Sequence, residues 1–400
     1  MLGVALEGGG SKGAYHMGVI KAYMEEGYHF QGAVGTSIGA INAALLAQGD
    51  FDMAYQLWEN MTFSTLFDVE DAQLKKFRQA KLDEESLTYL YGKIKKILAD
   101  KGLDTSKIRQ ILETYIDEEK LRRSPMDFGL VTVSLTDKKA LELFKEDIPQ
   151  GKIVDYIMAS ASFPGFKLEP LDGKYFIDGG LYDNCPVNML LRKGYSDIIA
   201  VRTLGVGFIR KFENSKANII TILPSGDLGS TLSFENDIIR NNMKMGYYDG
   251  LRAIRDLKGH KYYLVADNTT DIFALFCNIP DKVVTDLGSL LSLPAMEPKK
   301  MLFEEIIPQL SLQLKASHQK TYQDFLISVL EYTASKSAID PYHIYTLQEL
   351  TAAIGKKRAV KKPAIAINNK PLLPLVRPGA NLNKAVFLLV DALNRIYKQF

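Results

Sequence analysis

The sequence predicts an α/β protein: helices on both faces of a mostly parallel central sheet, three layers in all, followed by a mainly helical C-terminal region. Three observations carry that expectation. Short apolar runs, rich in Val, Ile and Ala and bounded by glycine, alternate with helix-periodic stretches through the first two thirds of the chain, as strands covered on both faces do. Beyond about residue 268 the strand signal ends and helical periodicity takes over. A content of 46% hydrophobic and 24% charged residues over 400 positions is that of an ordinary globular protein, which excludes disordered and collagen-like chains.

The elements follow in order. Leu2–Leu6 (LGVAL) reads as a buried strand, and the loop 7–13 follows it. Residues 14–26 place Val19, Ile20, Tyr23 and Met24 at helical spacing; residues 30–34 form a second strand stopped at Gly35; and Ile38–Gln48 forms a helix ending before Gly49. This strand–helix–strand–helix opening begins an open parallel sheet. Residues 50–123 are charged and helix-periodic, a helical insertion serving either as a packed scaffold layer or as a lid beside a cleft. Residues 128–135 and 140–144 form a strand pair around the turn 136–139, and 153–162 a helix ended by Pro164. A short strand at 174–177 leads into the turn Asp178–Gly179–Gly180. Residues 197–202 and 218–223 are core strands, 235–258 a helix, and 262–266 the last strand of the sheet. The expected division is a catalytic domain over 1–267 and a helical region over 268–400. In the latter, the helix-periodic segments 299–320, 322–335 and 381–400 are interrupted by a Lys- and Pro-rich stretch at 356–378.

A formal net charge of +2 supplies no strong field for nucleic acid. Two cysteines, Cys185 and Cys277, exclude a disulfide scaffold and a zinc ribbon and fit a reducing compartment. No apolar run approaches the roughly 18 residues needed to span a bilayer. Gly8, Gly9 and Gly10 fall where the apolar region of a signal peptide would lie, so a soluble, cytoplasmic protein is expected.

The chemistry concentrates in three places. Gly35–Thr36–Ser37–Ile38–Gly39 is a G-x-S-x-G between a strand and a helix, the context of a nucleophile elbow; a glycine-flanked helix cap uses the same residues. Gly8, Gly9, Gly10, Ser11, Lys12 and Gly13 form a loop of unobstructed backbone amides suited to an oxyanion; Lys12 braces that loop, meets an anionic headgroup, or is simply solvated. The loop is not a P-loop, because Lys12 precedes Gly13 instead of following a glycine and preceding Ser or Thr. It fits G-x-G-x-x-G, but the second strand ends in Gly35–Thr36–Ser37 with no acid for a ribose. For a base, His260, His318 and His343 lie downstream without a loop motif. Asp178 follows a strand, and Gly179 and Gly180 let it approach another loop closely. Neither an H-E-x-x-H nor an EF-hand loop occurs, which agrees with chemistry that needs no metal or other cofactor.

Together with a fourth element, Ala159–Ser160–Ala161–Ser162–Phe163–Pro164, these motifs resemble the patatin-like phospholipase family over roughly residues 1–266, and Asn184 and Pro186 fit its bacterial form. The resemblance implies a patatin-like three-layer fold and a Ser37–Asp178 dyad without histidine. It also implies an oxyanion hole in the 8–13 loop, where the Lys12 position is often arginine. The implied function is a serine acyl hydrolase acting on phospholipids or related glycerolipids. A carboxylesterase or acyltransferase for soluble or neutral-lipid esters, and a non-catalytic lipid-binding module, are the alternatives. Phe163, Phe166 and Leu168 are candidates for an acyl pocket, or plain core. Lys356, Lys357, Arg358, Lys361 and Lys362, followed by a 381–400 helix with Val386, Leu389, Val390, Leu393, Ile396, Tyr397 and Phe400 near one face, form a candidate peripheral membrane contact. A solvated loop and a core-packed helix are the competing reading.

Overall fold

The computed structural model describes residues 1–66, 103–213, 216–266, 270–314, 321–360 and 380–397. The chain divides into two compact units, Met1–Ile254 and Arg255–Phe400. Among the described residues no helix is long and apolar enough to cross a membrane.

The first unit is built on a seven-stranded sheet. Its strands are β1 (Leu2–Leu6), β2 (Gly32–Thr36), β3 (Asp127–Ser134), β4 (Lys139–Phe144), β5 (Phe176–Asp178), β6 (Asp197–Val201) and β7 (Asn218–Ile222). The order is β4-β3-β2-β1-β6-β7, and all neighbours are parallel except the β3/β4 hairpin. Val4, Ala5, Leu6, Ala33 and Val34 are fully buried, which is why these strands read as continuous apolar runs. β2 runs two residues later than the sequence suggests. Gly32 and Gly35 are not breakers here: a side chain at Gly32 would strike Tyr195, and one at Gly35 would strike Gly39.

The sheet contains one arrangement that builds the site. β2 pairs with the first part of β3, ending at Thr36 opposite Val131. β5 pairs with the rest of β3, with Asp178 opposite Thr132. The two strands therefore lie end to end along one side of β3, and their tips meet. The sequence expected this strand at 174–177; it is Phe176–Asp178, antiparallel to β3, so Asp178 is its last residue rather than a loop residue.

Helices α1 (Ala14–Glu25), α2 (Ile38–Gln48) and α3 (Phe51–Asn60) follow the first two strands. Of the helical insertion, residues 67–102 lie outside the described residues; Phe51–Asn60, Phe63–Leu66, Ser106–Tyr115 and Glu118–Arg123 are helices. Gln48 ties the end of α2 to the returning chain, donating to the Tyr115 carbonyl at 3.0 Å and accepting from the Asp117 amide at 2.8 Å.

The second unit is mainly helical around its own core, which includes Leu264, Phe276, Leu302, Leu326, Leu330 and Leu350. One expectation fails here. Tyr263–Leu264 does not join the large sheet but pairs in parallel with Ile344–Tyr345. An apolar run reports burial, and Tyr263 and Leu264 are both fully buried, but it does not say in which sheet. The C-terminal helix Ala380–Tyr397 sends Val386, Leu389, Val390, Leu393, Ile396 and Tyr397 into this core, so the face considered for lipid is already occupied. Lys356, Lys357 and Arg358 belong to the helix Leu347–Val360, whereas Lys361, Lys362 and Phe400 lie outside the described residues.

Candidate active site

Ser37 sits between β2 and α2 with φ 57 and ψ −127, a conformation that non-glycine residues rarely adopt. Its side chain makes no capping bond to α2, so the hydroxyl is not spent on the helix as the capping alternative requires. Its amide donates to Ser160 Oγ at 3.0 Å. Ser160 belongs to the Ala159–Pro164 motif and is fully buried, so this hydrogen bond fixes the turn from beneath. The bend requires close approach: a Cβ on Gly39 would lie 2.2 Å from the Leu6 carbonyl oxygen.

Asp178 is 5% exposed. Burial pushes its carboxyl up to about 6, opposed by the Ser37 side chain as hydrogen-bond partner and by the Gly180 amide, which donates to Oδ1 at 2.8 Å. Its backbone is held as well, the amide donating to the Ser162 carbonyl at 3.0 Å. A carboxyl with this pKa is mostly ionised at neutral pH, yet a stronger base than an exposed aspartate.

The glycine loop lies against both residues. A Cβ on Gly8 would come within 3.2 Å of Ser37 Cβ. The six loop residues are not equivalent as donors. The Gly8 amide donates to the Asn184 carbonyl at 3.0 Å, Ser11 to the Thr231 carbonyl at 2.8 Å and Lys12 to the Gly9 carbonyl at 3.3 Å, so these three are already used. Among the described residues the amides of Gly9 and Gly10 have no protein acceptor, and both residues line the cavity that contains Ser37 and Asp178. Gly10 has φ 59 and passes so near Thr231 that a Cβ would lie 2.2 Å from its carbonyl oxygen. Lys12 donates through Nζ to the Leu204 carbonyl at 3.2 Å and is absent from the cavity wall, so it braces the loop. Burial lowers its pKa, with Asp227 and Glu7 opposing.

Two networks behind the site escaped the sequence reading. Glu7 is fully buried and accepts from the Thr203 amide at 2.6 Å, the Leu204 amide at 3.0 Å and Arg202 Nε at 2.9 Å. Asn42, in α2, donates to the Gly13 carbonyl at 3.0 Å, lies 3.1 Å from His16 Nδ1, and accepts from Trp58 Nε1 at 2.9 Å. Burial pushes His16 down to about 3, so the imidazole is neutral. Glu7 immediately preceding three glycines was the available signal for the first network; the second had none, because α1, α2 and α3 meet only in three dimensions.

The cavity has a volume of about 140 Å³ and a mainly apolar wall. Phe163 and Phe166 line it; Leu168 does not. Ser37, Ile38, Ile41, Asn42 and Leu45 mark its course along one face of α2, and Leu112, Tyr115 and Ile116 of the insertion line it as well. Thus Ser37, Asp178, Gly9, Gly10, Ile38 and Gly180 line the cavity, whereas Gly8, Ser11, Lys12, Gly13, Gly35, Thr36, Gly39 and Gly179 do not. His260 and His343 belong to the second unit, and His318 lies outside the described residues. Among the described residues no cluster of three or more His, Cys, Asp or Glu side chains is placed to share a metal ion.

Residues 4–191 match the family model of patatin-like phospholipases. The chain carries a patatin-like phospholipase domain. Similar curated proteins include an uncharacterized NTE family protein of Mycobacterium bovis, 24% identical over 185 residues, 46% of this chain and 44% of that protein. Lysophospholipase NTE1 of Mycosarcoma maydis is 27% identical over 202 residues, 50% of this chain and 9% of that protein. The match to the patatin-like domain thus spans under half the length of these relatives. Among solved structures, VipD from Legionella pneumophila superposes with a TM-score of 0.40 and 15% identity, covering 99% of this chain and 92% of that one.

Proposed function

We propose that the chain is a serine acyl hydrolase that cleaves fatty-acyl esters of phospholipids or related glycerolipids. One observation carries this reading: the Ser37 hydroxyl, the buried Asp178 carboxyl and two amides without acceptors open together onto one apolar cavity. Ser37 Oγ attacks the ester carbonyl while Asp178 takes its proton, and the carbonyl oxygen becomes an oxyanion facing the Gly9 and Gly10 amides. Each such donor lowers the barrier by about 3 kcal/mol. The amino end of α2, directly after Ser37, adds its dipole to the same negative charge. Collapse of the intermediate breaks the ester C–O bond, and the proton held by Asp178 passes to the departing alcohol. Water, deprotonated by the same carboxylate, then releases the fatty acid and restores Ser37. The apolar wall favours an acyl chain over a polar substrate.

The test is fluorophosphonate labelling combined with fatty-acid release from mixed phospholipid micelles. Ser37→Ala is expected to lose labelling and to lower turnover by at least about 10⁴-fold. Wild-type turnover by Ser37→Ala refutes the reading. Hydrolysis confined to short soluble esters assigns a carboxylesterase instead, and lipid binding with neither labelling nor turnover assigns a binding module.

A further inference from the structure

We propose that the loop over residues 203–213, with Leu223 beside it, is a docking surface for an anionic phospholipid bilayer; this rests on reading the adjacent site as a lipid acyl hydrolase. The strands β6 and β7 end at Val201 and Ile222, paired with each other, at the same edge of the parallel sheet where β1 and β2 deliver the glycine loop and Ser37. Just beyond those ends the chain exposes large apolar side chains, Leu204 at 55%, Phe208 at 53% and Leu223 at 52%, and Phe212 at 37% follows on the returning segment beside Asn188. Apolar surface gathered at one edge of the fold beside a cavity marks an interaction site more than chance exposure.

The loop that carries these side chains is fastened to the site. Leu204 donates its amide to Glu7 and accepts from Lys12, the Asn184 amide donates to the Phe208 carbonyl at 2.7 Å, and the Phe208 amide donates to the Gly180 carbonyl at 2.8 Å. Val206, between them, lines the cavity. The apolar tips are therefore presented on a backbone already ordered, so their insertion sacrifices little conformational freedom.

Charge selects the partner. Arg210 and Lys211 are exposed here, Arg210 lying over the Tyr182 ring at 4.5 Å. The exposed acid Glu213 lies 3.5 Å from Arg192, which also pairs with Glu142 at 2.7 Å. Apolar side chains interspersed with cations are the composition that lies in the headgroup layer of anionic membranes. A bilayer also explains the position: an acyl chain leaving lipid beside Val206 enters the cavity without crossing bulk water.

The experiment measures sedimentation of the full chain with phosphatidylcholine vesicles, with and without phosphatidylglycerol. It is run in a Ser37→Ala background so that no lipid is consumed. Phe212→Ser combined with Leu223→Ser is expected to weaken partitioning about tenfold on both vesicle types. Arg210→Glu combined with Lys211→Glu is expected to weaken it only on the anionic vesicles and to reduce its salt dependence. Phe208→Ser provides an independent apolar variant, its fold checked by thermal melting, and Leu223→Trp is expected to retain binding. With Ser37 restored, the Phe212→Ser, Leu223→Ser protein is expected to hydrolyse a short soluble ester at the wild-type rate and vesicle lipid more slowly. Parental vesicle binding by the apolar variants, no vesicle binding by the parent, or equal loss on both substrates overturns the proposal. A parent that binds vesicles as described but hydrolyses no ester refutes the reading of the site while leaving the docking surface measured.

Discussion

Replacing Asp178 by asparagine removes the proposed base and, by the same physics, makes the protein more stable. The carboxyl is raised from 3.8 to about 6, chiefly by burial. A shift of roughly two units corresponds to about 3 kcal/mol of preference for the protonated form in the folded state. Because the folded pKa lies above the unfolded one, this contribution is fully present below about pH 4 and is lost as pH rises through about 6. At pH 8 the native protein therefore carries a buried charge that the unfolded chain holds more easily. Asparagine stays neutral at every pH, and its carbonyl oxygen can still accept from the Gly180 amide. Allowing about 1 kcal/mol for an amide hydrogen without a good partner, Asp178→Asn is expected to gain about 2 kcal/mol at pH 8. That corresponds to about 4 °C in Tm for a unit of this size. Urea and thermal unfolding of both proteins between pH 4.5 and 8 measures it. A variant no more stable at pH 8, or a gain that does not shrink toward pH 4.5, refutes the burial-dominated account. The same ionisation sets the rate profile of the wild type: kcat/KM on a soluble ester is expected to fall tenfold per pH unit below about 6.

Two further substitutions probe the anion site and the cavity. Gly10→Ala forces a side chain onto a left-handed backbone and into the Thr231 carbonyl; kcat is expected to fall about 100-fold with KM little changed, read by steady-state kinetics against a melting control. Leu45→Trp closes the cavity eight residues along α2 from Ser37, about 12 Å away. Hydrolysis of long-chain esters is expected to fall at least tenfold while short-chain esters are spared, and equal loss on both places Leu45 outside the acyl path.

Much of the site was legible because its parts are local. Gly35–Gly39 states a strand, a tight bend and a helix within a few residues, and Leu6 with Gly8–Gly10 states a strand end followed by bare backbone. Neither pattern depends on distant neighbours. The sequence could not say which loop amides remain free, because that depends on the Asn184 and Thr231 carbonyls, far along the chain. The same limit hid the partnership of Asn42, His16 and Trp58, and it sent Tyr263–Leu264 to the wrong sheet: periodicity records that a residue is covered, not by what. Leu168, a candidate for the cavity or plain core beside Phe163 and Phe166, is not among the cavity-lining residues.

The ion pair between Glu7 and Arg202 joins positions 195 apart in sequence, and the glycine loop depends equally on Asn184 and Thr231. During synthesis the Ser37 hydroxyl emerges from the ribosome many seconds before the carbonyls and guanidinium that shape its surroundings. On the proposed reading, a chain made only as far as β6 still lacks the Thr231 carbonyl that shapes the glycine loop, so lipolytic competence begins only once residue 231 has been made and docked. Such long-range closure also slows folding, so the interval between translation and activity is itself a property written into the connectivity.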